Sequence, residues 1–314
     1  MPAFSSSAPG KIILFGEHAV VYGHPAIAVP VTQVKAKAIV TPNPLGEPGS
    51  VQVQAPDIAL DSPLAALPLD DAILNTLSAV FEAIGVSTPP AFKLRVTSTI
   101  PLAAGLGSGA AVSVAITRAV SGFLGHPLED EQVSALVYEI EKIHHGTPSG
   151  IDNTVITYAM PVYYIKDQEI QTFTVPRAFT IVIGDTGIPS PTSLAVGDVR
   201  KAWQANPSRL GPLFEAAGRI SQSAKQAIAA GNSGLLGPLM DQNHDLLAQM
   251  GVSSPELDQL VAAARQGGAL GAKLSGGGRG GNMIALADAE NANAIAQALQ
   301  KAGAANTIIT QVSG

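Results

Sequence analysis

Residues 26–41 (AIAVPVTQVKAKAIVT) begin apolar and end in alternating apolar and polar positions, a period of two that predicts a strand with one buried face. The same alternation over 92–100 (FKLRVTSTI) predicts another. Shorter apolar runs at 11–15 (KIILF), 51–54, 161–165 and 178–184 (AFTIVIG) read as further strands. Helical spacing takes over at 70–84, after an acidic start, and at 110–123. It returns at 129–145, where Val133, Leu136, Val137, Ile140 and His144 share one face. From about 191 an Ala-rich helical pattern runs through 230 and resumes at 233–250 and 255–266. The segment AKLSGGGRGGNMIAL then predicts strand, glycine turn and strand, followed by a helix at 288–302 and a last strand at 306–312. No internal repeat interrupts this order. Strands and helices are mixed, and the change in character near 178–190 suggests two domains, 1–180 and 181–314.

Length agrees, since 314 residues is about two domains at the usual ~150 residues each. With 46% apolar and 13% charged residues the chain can bury a sizeable core. The net charge of −6 argues against a protein that coats nucleic acid or an anionic membrane. There is no cysteine, which excludes disulfides, thiolate metal sites and a cysteine nucleophile. The N-terminal residues do not read as a signal peptide, and no apolar run approaches the ~18–20 residues of a membrane helix. The expectation is a cytoplasmic protein with neither membrane nor nucleic acid as partner.

The glycines are clustered, and the clusters change the picture. Pro101-Leu-Ala-Ala-Gly105-Leu106-Gly107-Ser108-Gly109-Ala110 lies between a predicted strand and a predicted helix. Glycines there let several N–H groups converge, and the following helix adds its unpaired N–H groups and the positive end of its dipole. The ordinary reading is a tight strand-to-helix turn; the hydroxyl of Ser108, able to bind phosphate or a metal ion, shifts the balance towards phosphate. A Walker A loop would need a lysine that is absent. A dinucleotide fingerprint fits loosely at Gly105, Gly107 and Ala110 with Glu129 beyond, but the strand expected to end in that acid is replaced by a helix pattern. A second cluster, Ser275–Gly281, holds five glycines in seven residues and Arg279. It reads either as a flexible hairpin or as backbone that closely approaches a ligand, with Arg279 near an anion. Two such loops point to a nucleoside triphosphate.

Two polar segments accompany them. In APGKIILFGEHAVVYG, Lys11, Glu17 and His18 flank an apolar strand; alone, they read as a surface lysine and a polar turn. In EKIHHGTPSGIDN, Glu141 sits beside the apolar stripe of its helix, and Asp152 follows a Gly/Pro turn at the start of another helix, where an isolated aspartate usually caps. The adjacent His144 and His145 cannot both face one way on a helix.

In combination these segments resemble the mevalonate kinases of the GHMP kinase superfamily, across nearly the whole chain. APGKIILFGEHAVVYGHPAIA resembles the first motif of that family, PLAAGLGSGAAVSVA its phosphate loop, and EKIHHGTPSGIDNTV the segment with the metal-binding acid and catalytic aspartate. GDTGIPSPT resembles a substrate-side loop, and AKLSGGGRGGNMIAL the third, glycine-rich motif. Two departures stand out. The phosphate loop usually reads GLGSS, and its second serine, associated with Mg²⁺ and phosphate, is Gly109 here. The third motif usually reads GAGGGG, and here Gly277 and Arg279 take the places of Ala and Gly.

The resemblance implies an α+β protein with the two-domain GHMP kinase fold, the N-terminal domain like the second domain of ribosomal protein S5 and the C-terminal one ferredoxin-like. It implies phosphoryl transfer from ATP to the 5-hydroxyl of mevalonate, with ATP held by Pro101 and Gly105–Ala110 and Mg²⁺ by Glu141 and Ser108. Asp152 would take the hydroxyl proton, with Lys11 beside it offsetting charge. Glu17, His18 and Thr192 would grip the substrate together with Lys11 and Asp152, His18 or Lys11 facing its carboxylate. A homodimer accords with the resemblance, although no interface is visible in the sequence. The rival readings are another GHMP kinase, acting on phosphomevalonate or on position 3 of mevalonate, and a catalytically silent relative that senses ATP and a small ligand. A substrate panel and a measurement of phosphate transfer separate them.

Overall fold

The computed structural model describes residues 2–101, 104–145, 148–190 and 192–313, with the backbone alone of His145. Leu102 and Ala103 of the first glycine loop, Gly146 and Thr147 of the Gly/Pro turn, the His145 side chain and Pro191 of the substrate-side loop lie outside the described residues. Among the described residues no helix is long and apolar enough to cross a membrane.

Contacts divide the chain differently from a cut near residue 180. One compact unit comprises residues 1–10, 34–101 and 107–159, and the other 11–33, 102–106 and 160–314. The physical reason is strand length: β1 (Phe4–Phe15) and β2 (Ala26–Pro42) are 12 and 17 residues long, and each contributes one half to each unit.

In the first unit the second half of β2 pairs with β5 (Phe92–Ser98), which pairs in parallel with β3 (Val51–Ala55), which pairs with β4 (Leu60–Pro63). Among the described residues four α-helices belong to this unit: α1 (Ala72–Ala83), α2 (Ser108–Phe123), α3 (Asp130–His145) and α4 (Ile151–Tyr158). Asp71 caps α1, its carboxylate accepting from the N–H groups of Ile73 and Leu74, which fixes where the acidic start becomes helix. Phe92 meets Phe81 and Phe123 edge-on in a core that includes Leu77, Val80, Leu94 and Val114. Asn153 donates to both the carbonyl and the hydroxyl of Ser134, tying α4 to α3.

In the second unit β6 (Val162–Tyr164) pairs with the first half of β2 and with β7 (Gln171–Thr172). The larger sheet here contains β8 (Phe179–Asp185), β9 (Gly271–Ser275), β10 (Asn282–Ala287) and β11 (Asn306–Val312), all antiparallel, in the order β11-β8-β10-β9. That order, with α5 (Thr192–Ala205), α6 (Pro207–Ala229), α7 (Leu236–Gln249) and α8 (Pro255–Gln266) between the first two strands and α9 (Ala292–Lys301) between the last two, is the ferredoxin-like arrangement. Val182, Phe214, Leu247, Leu260, Ile295 and Leu299 belong to one core cluster.

β9 is an edge strand, and side chains replace its missing neighbour. Asp241 accepts from the Ala272 N–H at 2.9 Å, Arg265 donates to the Ala272 carbonyl at 3.1 Å, and His244 Nδ1 accepts from the Leu274 N–H at 3.3 Å. Buried backbone groups rarely go unpaired, so these residues of α7 and α8 complete the ladder.

Candidate functional site

In the first unit the start of α2 has no side-chain cap. Gly107 is its N-cap with φ 73°, and as a glycine it brings no side chain to satisfy the first N–H groups. Ser108 opens the helix, half-buried. A Cβ placed on Gly109 would have Glu141 Oε1 at 3.7 Å as its nearest neighbour, so the missing side chain leaves room directly beside that carboxylate. Glu141 is 8% exposed on α3, which packs against α2. Asp152 is not a helix cap: Gly150, φ 85°, occupies that place, and Asp152 sits half-buried in the first turn of α4. α4 packs on both α2 and α3, so the unit brings Ser108, Gly109 and Glu141 together and carries Asp152 on the adjoining helix.

The second unit holds the other candidates. Lys11 is buried in β1, and its N–H donates to the Leu106 carbonyl at 2.9 Å, fixing the end of the first glycine loop. Asn282 Nδ2 donates to the Ala104 carbonyl of the same loop, and Gly105 has no atom nearer to an added Cβ than Asn282 Nδ2 at 3.9 Å. Pro101 is half-buried at the other end of the loop, in the first unit.

Beyond β1 the chain turns sharply. Gly16 has φ 94°, and a Cβ there would lie 2.4 Å from the Pro25 carbonyl oxygen. His18 holds φ 59° and ψ −47°, a conformation that costs a non-glycine residue of order 1–3 kcal/mol. Glu17 forms an ion pair with Lys273, and its other oxygen accepts from Asn243 Nδ2 at 3.1 Å. The His18 ring is 4% exposed; its Nε2 is 3.0 Å from the Gly277 carbonyl, and its Nδ1 is buried with no partner among the described residues. Burial holds the His18 pKa below the usual 6.5, against the Gly277 carbonyl and Glu17, which pull it up. The ring is therefore neutral at neutral pH. Nε2–H donates to Gly277, and Nδ1 is left as an acceptor. Thr192, exposed at the start of α5, also rests on Gly277: a Cβ there would be 3.1 Å from both Cα and Oγ1 of Thr192. One glycine thus brings His18 and Thr192 together.

The second glycine cluster is neither a flexible hairpin nor an open nest. Thr186 N–H and Oγ1 donate to the Gly281 carbonyl at 2.9 and 3.0 Å, Gly281 N–H donates to Ile188, and Ser190 Oγ donates to Gly278 at 2.5 Å. A Cβ on Gly278 would be 1.9 Å from the Val252 carbonyl oxygen, and one on Gly280 2.7 Å from that of Ile188. These glycines make room for the chain itself. Arg279, at φ 62°, donates to Asp198 of α5 at 2.6 Å and to the Gly251 carbonyl at 3.4 Å, so its guanidinium already has an anion in the protein. That hydrogen bond and charge hold the Asp198 carboxyl below its usual pKa.

Comparison with known proteins gives this arrangement a family. The model of the GHMP kinases N terminal domain matches residues 71–160 and that of the GHMP kinases C terminal matches 224–305. A mevalonate kinase from Thermococcus sibiricus is 38% identical over 98% of this chain and 96% of its own, and one from Pyrococcus furiosus is 37% identical over the same shares. The crystal structure of L. major mevalonate kinase in complex with R-mevalonate superposes with a TM-score of 0.84 and 32% identity, covering 98% of this chain and 95% of that one. The chain belongs to the mevalonate kinase family of the GHMP kinases.

A kinase of this family works with ATP and thus with a divalent cation. No group of three or more acidic or histidine ligands exists among the described residues. The donors present still suit Mg²⁺, which takes hard oxygens, needs one or two carboxylates and keeps water and phosphate for the rest. Glu141, with open space at Gly109 beside it and the Ser108 hydroxyl on the same helix start, provides that set. Sequence reasoning missed Lys273, Asn243 and Asn282. Of these, only the position of Lys273 inside an otherwise apolar strand was a signal.

Proposed function

We propose that the protein transfers the γ-phosphoryl group of ATP to the 5-hydroxyl of mevalonate, with Mg²⁺ as the accompanying cation. The observation that carries this reading is the approach of Glu141 Oε1 to Gly109 at the uncapped start of α2, which unites an anion-attracting helix end with a hard oxygen ligand. Phosphoryl transfer has a loose transition state, so positioning and charge stabilisation do most of the catalysis. Pro101, Gly105, Leu106, Gly107, Ser108, Gly109 and Ala110 hold the nucleotide phosphates. Glu141 and Ser108 hold the cation, which when bound neutralises charge on the phosphates. Asp152 orients the acceptor hydroxyl and accepts its proton, and Lys11 offsets charge on the transferred group.

His18 and Thr192 bind the acceptor. Neutral His18, with Nε2–H committed to Gly277, offers Nδ1 to a hydroxyl proton of the substrate and not to its carboxylate. Glu17 has both oxygens engaged within its own unit and acts through the turn it anchors. ADP release measured with mevalonate, and separately with its 5-phosphate, tests the reaction; activity with the phosphate alone would overturn the acceptor. Asp152→Asn is expected to lower kcat by about 10²–10⁴-fold with ATP affinity little changed, and near-normal turnover would remove Asp152 as the base.

A further inference from the structure

We propose that Lys273 is a positioning residue for the acceptor: through Glu17 it fixes the Gly16–His18 turn that presents the His18 imidazole. The proposal rests on the acceptor site described above.

Lys273 lies in the middle of β9 and is fully buried, as is its partner, with side-chain exposures of 0% and 1%. Its ammonium donates to Glu17 and to the Leu274 carbonyl at 2.6 Å, and Nζ lies 5.9 Å from the centre of the Phe15 ring. Burial pushes the Lys273 pKa down, and the Glu17 carboxylate pulls it back up. Stability alone is a poor reason for such a pair. A buried ion pair loses so much hydration that apolar residues of similar size often do as well.

What the pair does achieve is anchorage. The turn beyond β1 carries two positive φ values in three residues, Gly16 at 94° and His18 at 59°. Its backbone bonds are local, from Val20 to Gly16 at 3.1 Å and from Ala19 to Glu17 at 2.6 Å. The carboxylate of Glu17, one residue before the strained His18, is gripped by Lys273 on β9 and by Asn243 on α7. The strand that supplies Lys273 runs directly into Gly277, whose carbonyl receives the His18 ring. The same segment therefore fixes the ring at Nε2 and the backbone beneath it, leaving Nδ1 aimed in one direction. A lysine suits this task because its charge makes the grip on Glu17 strong and its length crosses from strand to turn.

The test compares Lys273→Met with the double variant Glu17→Gln/Lys273→Met. Lys273→Met strands a buried carboxylate and is expected to lower the melting temperature; the neutral double variant is expected to regain most of that loss. In the double variant KM for mevalonate is expected to stay about tenfold above wild type, with KM for ATP within about twofold. A double variant with wild-type KM for mevalonate would reduce the pair to a packing element and overturn the proposal, as would equal rises in both KM values. A second readout needs no turnover. ¹⁵N-histidine NMR should report a single Nε2–H tautomer for His18 in the wild type and a mixture in the double variant. An unchanged His18 tautomer would also overturn the proposal. If neither variant folds, the wild-type spectrum decides: anything but a single Nε2–H tautomer removes the fixed ring on which the proposal stands. Absence of mevalonate-dependent ADP release from the wild type, with these spectra as expected, would instead defeat the acceptor assignment and leave the positioning intact.

Discussion

The two glycine clusters look alike as text and do opposite things in space. At Gly105 and Gly109 the nearest neighbour of an added Cβ is a side-chain atom 3.9 or 3.7 Å away, so the absent side chains leave room. At Gly278 and Gly280 the neighbour is the chain's own carbonyl at 1.9 or 2.7 Å, so the absent side chains are already paid for by backbone packing. A glycine run marks close approach, but the approaching partner can be a ligand or another segment of the same fold. Only the surroundings tell which.

Substitutions can break this contrast directly. The largest effect is expected for Gly278→Ala, where φ 75° and the Val252 carbonyl leave no place for a methyl group. A loss of about 3 kcal/mol or more is expected, seen as a fall in melting temperature of roughly 6–12 °C or as failure to fold. A mild effect would show that the loop yields easily, and the contrast would collapse.

A second expectation concerns pH. Burial holds the pKa of His244 below 6.5, with Asp258 and Asp245 opposing and Arg265 and Lys273 assisting. Because the folded pKa is the lower one, the unfolded chain takes up the proton first as pH falls below about 6.5. The stability contribution is complete above that point and is lost towards the folded pKa. Thermal melts between neutral and mildly acid pH should show this loss, and His244→Gln should flatten it while retaining an acceptor for the Leu274 N–H. An identical slope in the variant would assign the effect elsewhere.

Gly109→Ser, in the open cluster, is expected to fold with a melting temperature unchanged or raised by about 1–2 °C, since serine suits a helix better than glycine. It should retain ATP-dependent activity; loss of ATP binding would mean that the loop has been rebuilt around the absence of that hydroxyl. The smallest effect is expected for Arg279→Gly. An exposed ion pair contributes little and glycine relieves the positive φ, so the melting temperature should stay within about 2 °C. A large fall would make the Arg279–Asp198 contact a true brace of α5.

Much of the framework was legible because its signals are local. α8 begins at Pro255 after Ser254, whose hydroxyl accepts from the Leu257 N–H, and both residues announce a helix start in the sequence. The helix read as continuous from 191 to 230 is broken at Asn206 and Pro207 by the same kind of cap, a signal that the alanine-rich pattern masked. The predicted strand at 11–15 extends back to Phe4, because its outer residues alternate weakly and depend on pairing with β2. Glu141 stood out as an acid beside the apolar stripe of its helix, whereas Asp152 by itself read as a helix cap and was singled out through the family resemblance. Lys273 as the partner of Glu17 was not: a lysine inside an apolar strand hints at burial, but 256 residues separate it from Glu17 and nothing in the sequence links the two. The same holds for Val252 and Ile188, which turn a ligand-like glycine run into packed backbone.

The side chains that complete the β9 edge have a consequence for how copies of the protein meet. An open strand edge is a template on which a second chain can add, and here Asp241, Arg265 and His244 occupy the hydrogen-bonding positions such a strand would use. Protonating His244 turns its acceptor into a donor facing the Leu274 N–H and withdraws one of those seals. With these groups engaged and all of β9 buried, the edge offers no ladder for a second copy to extend.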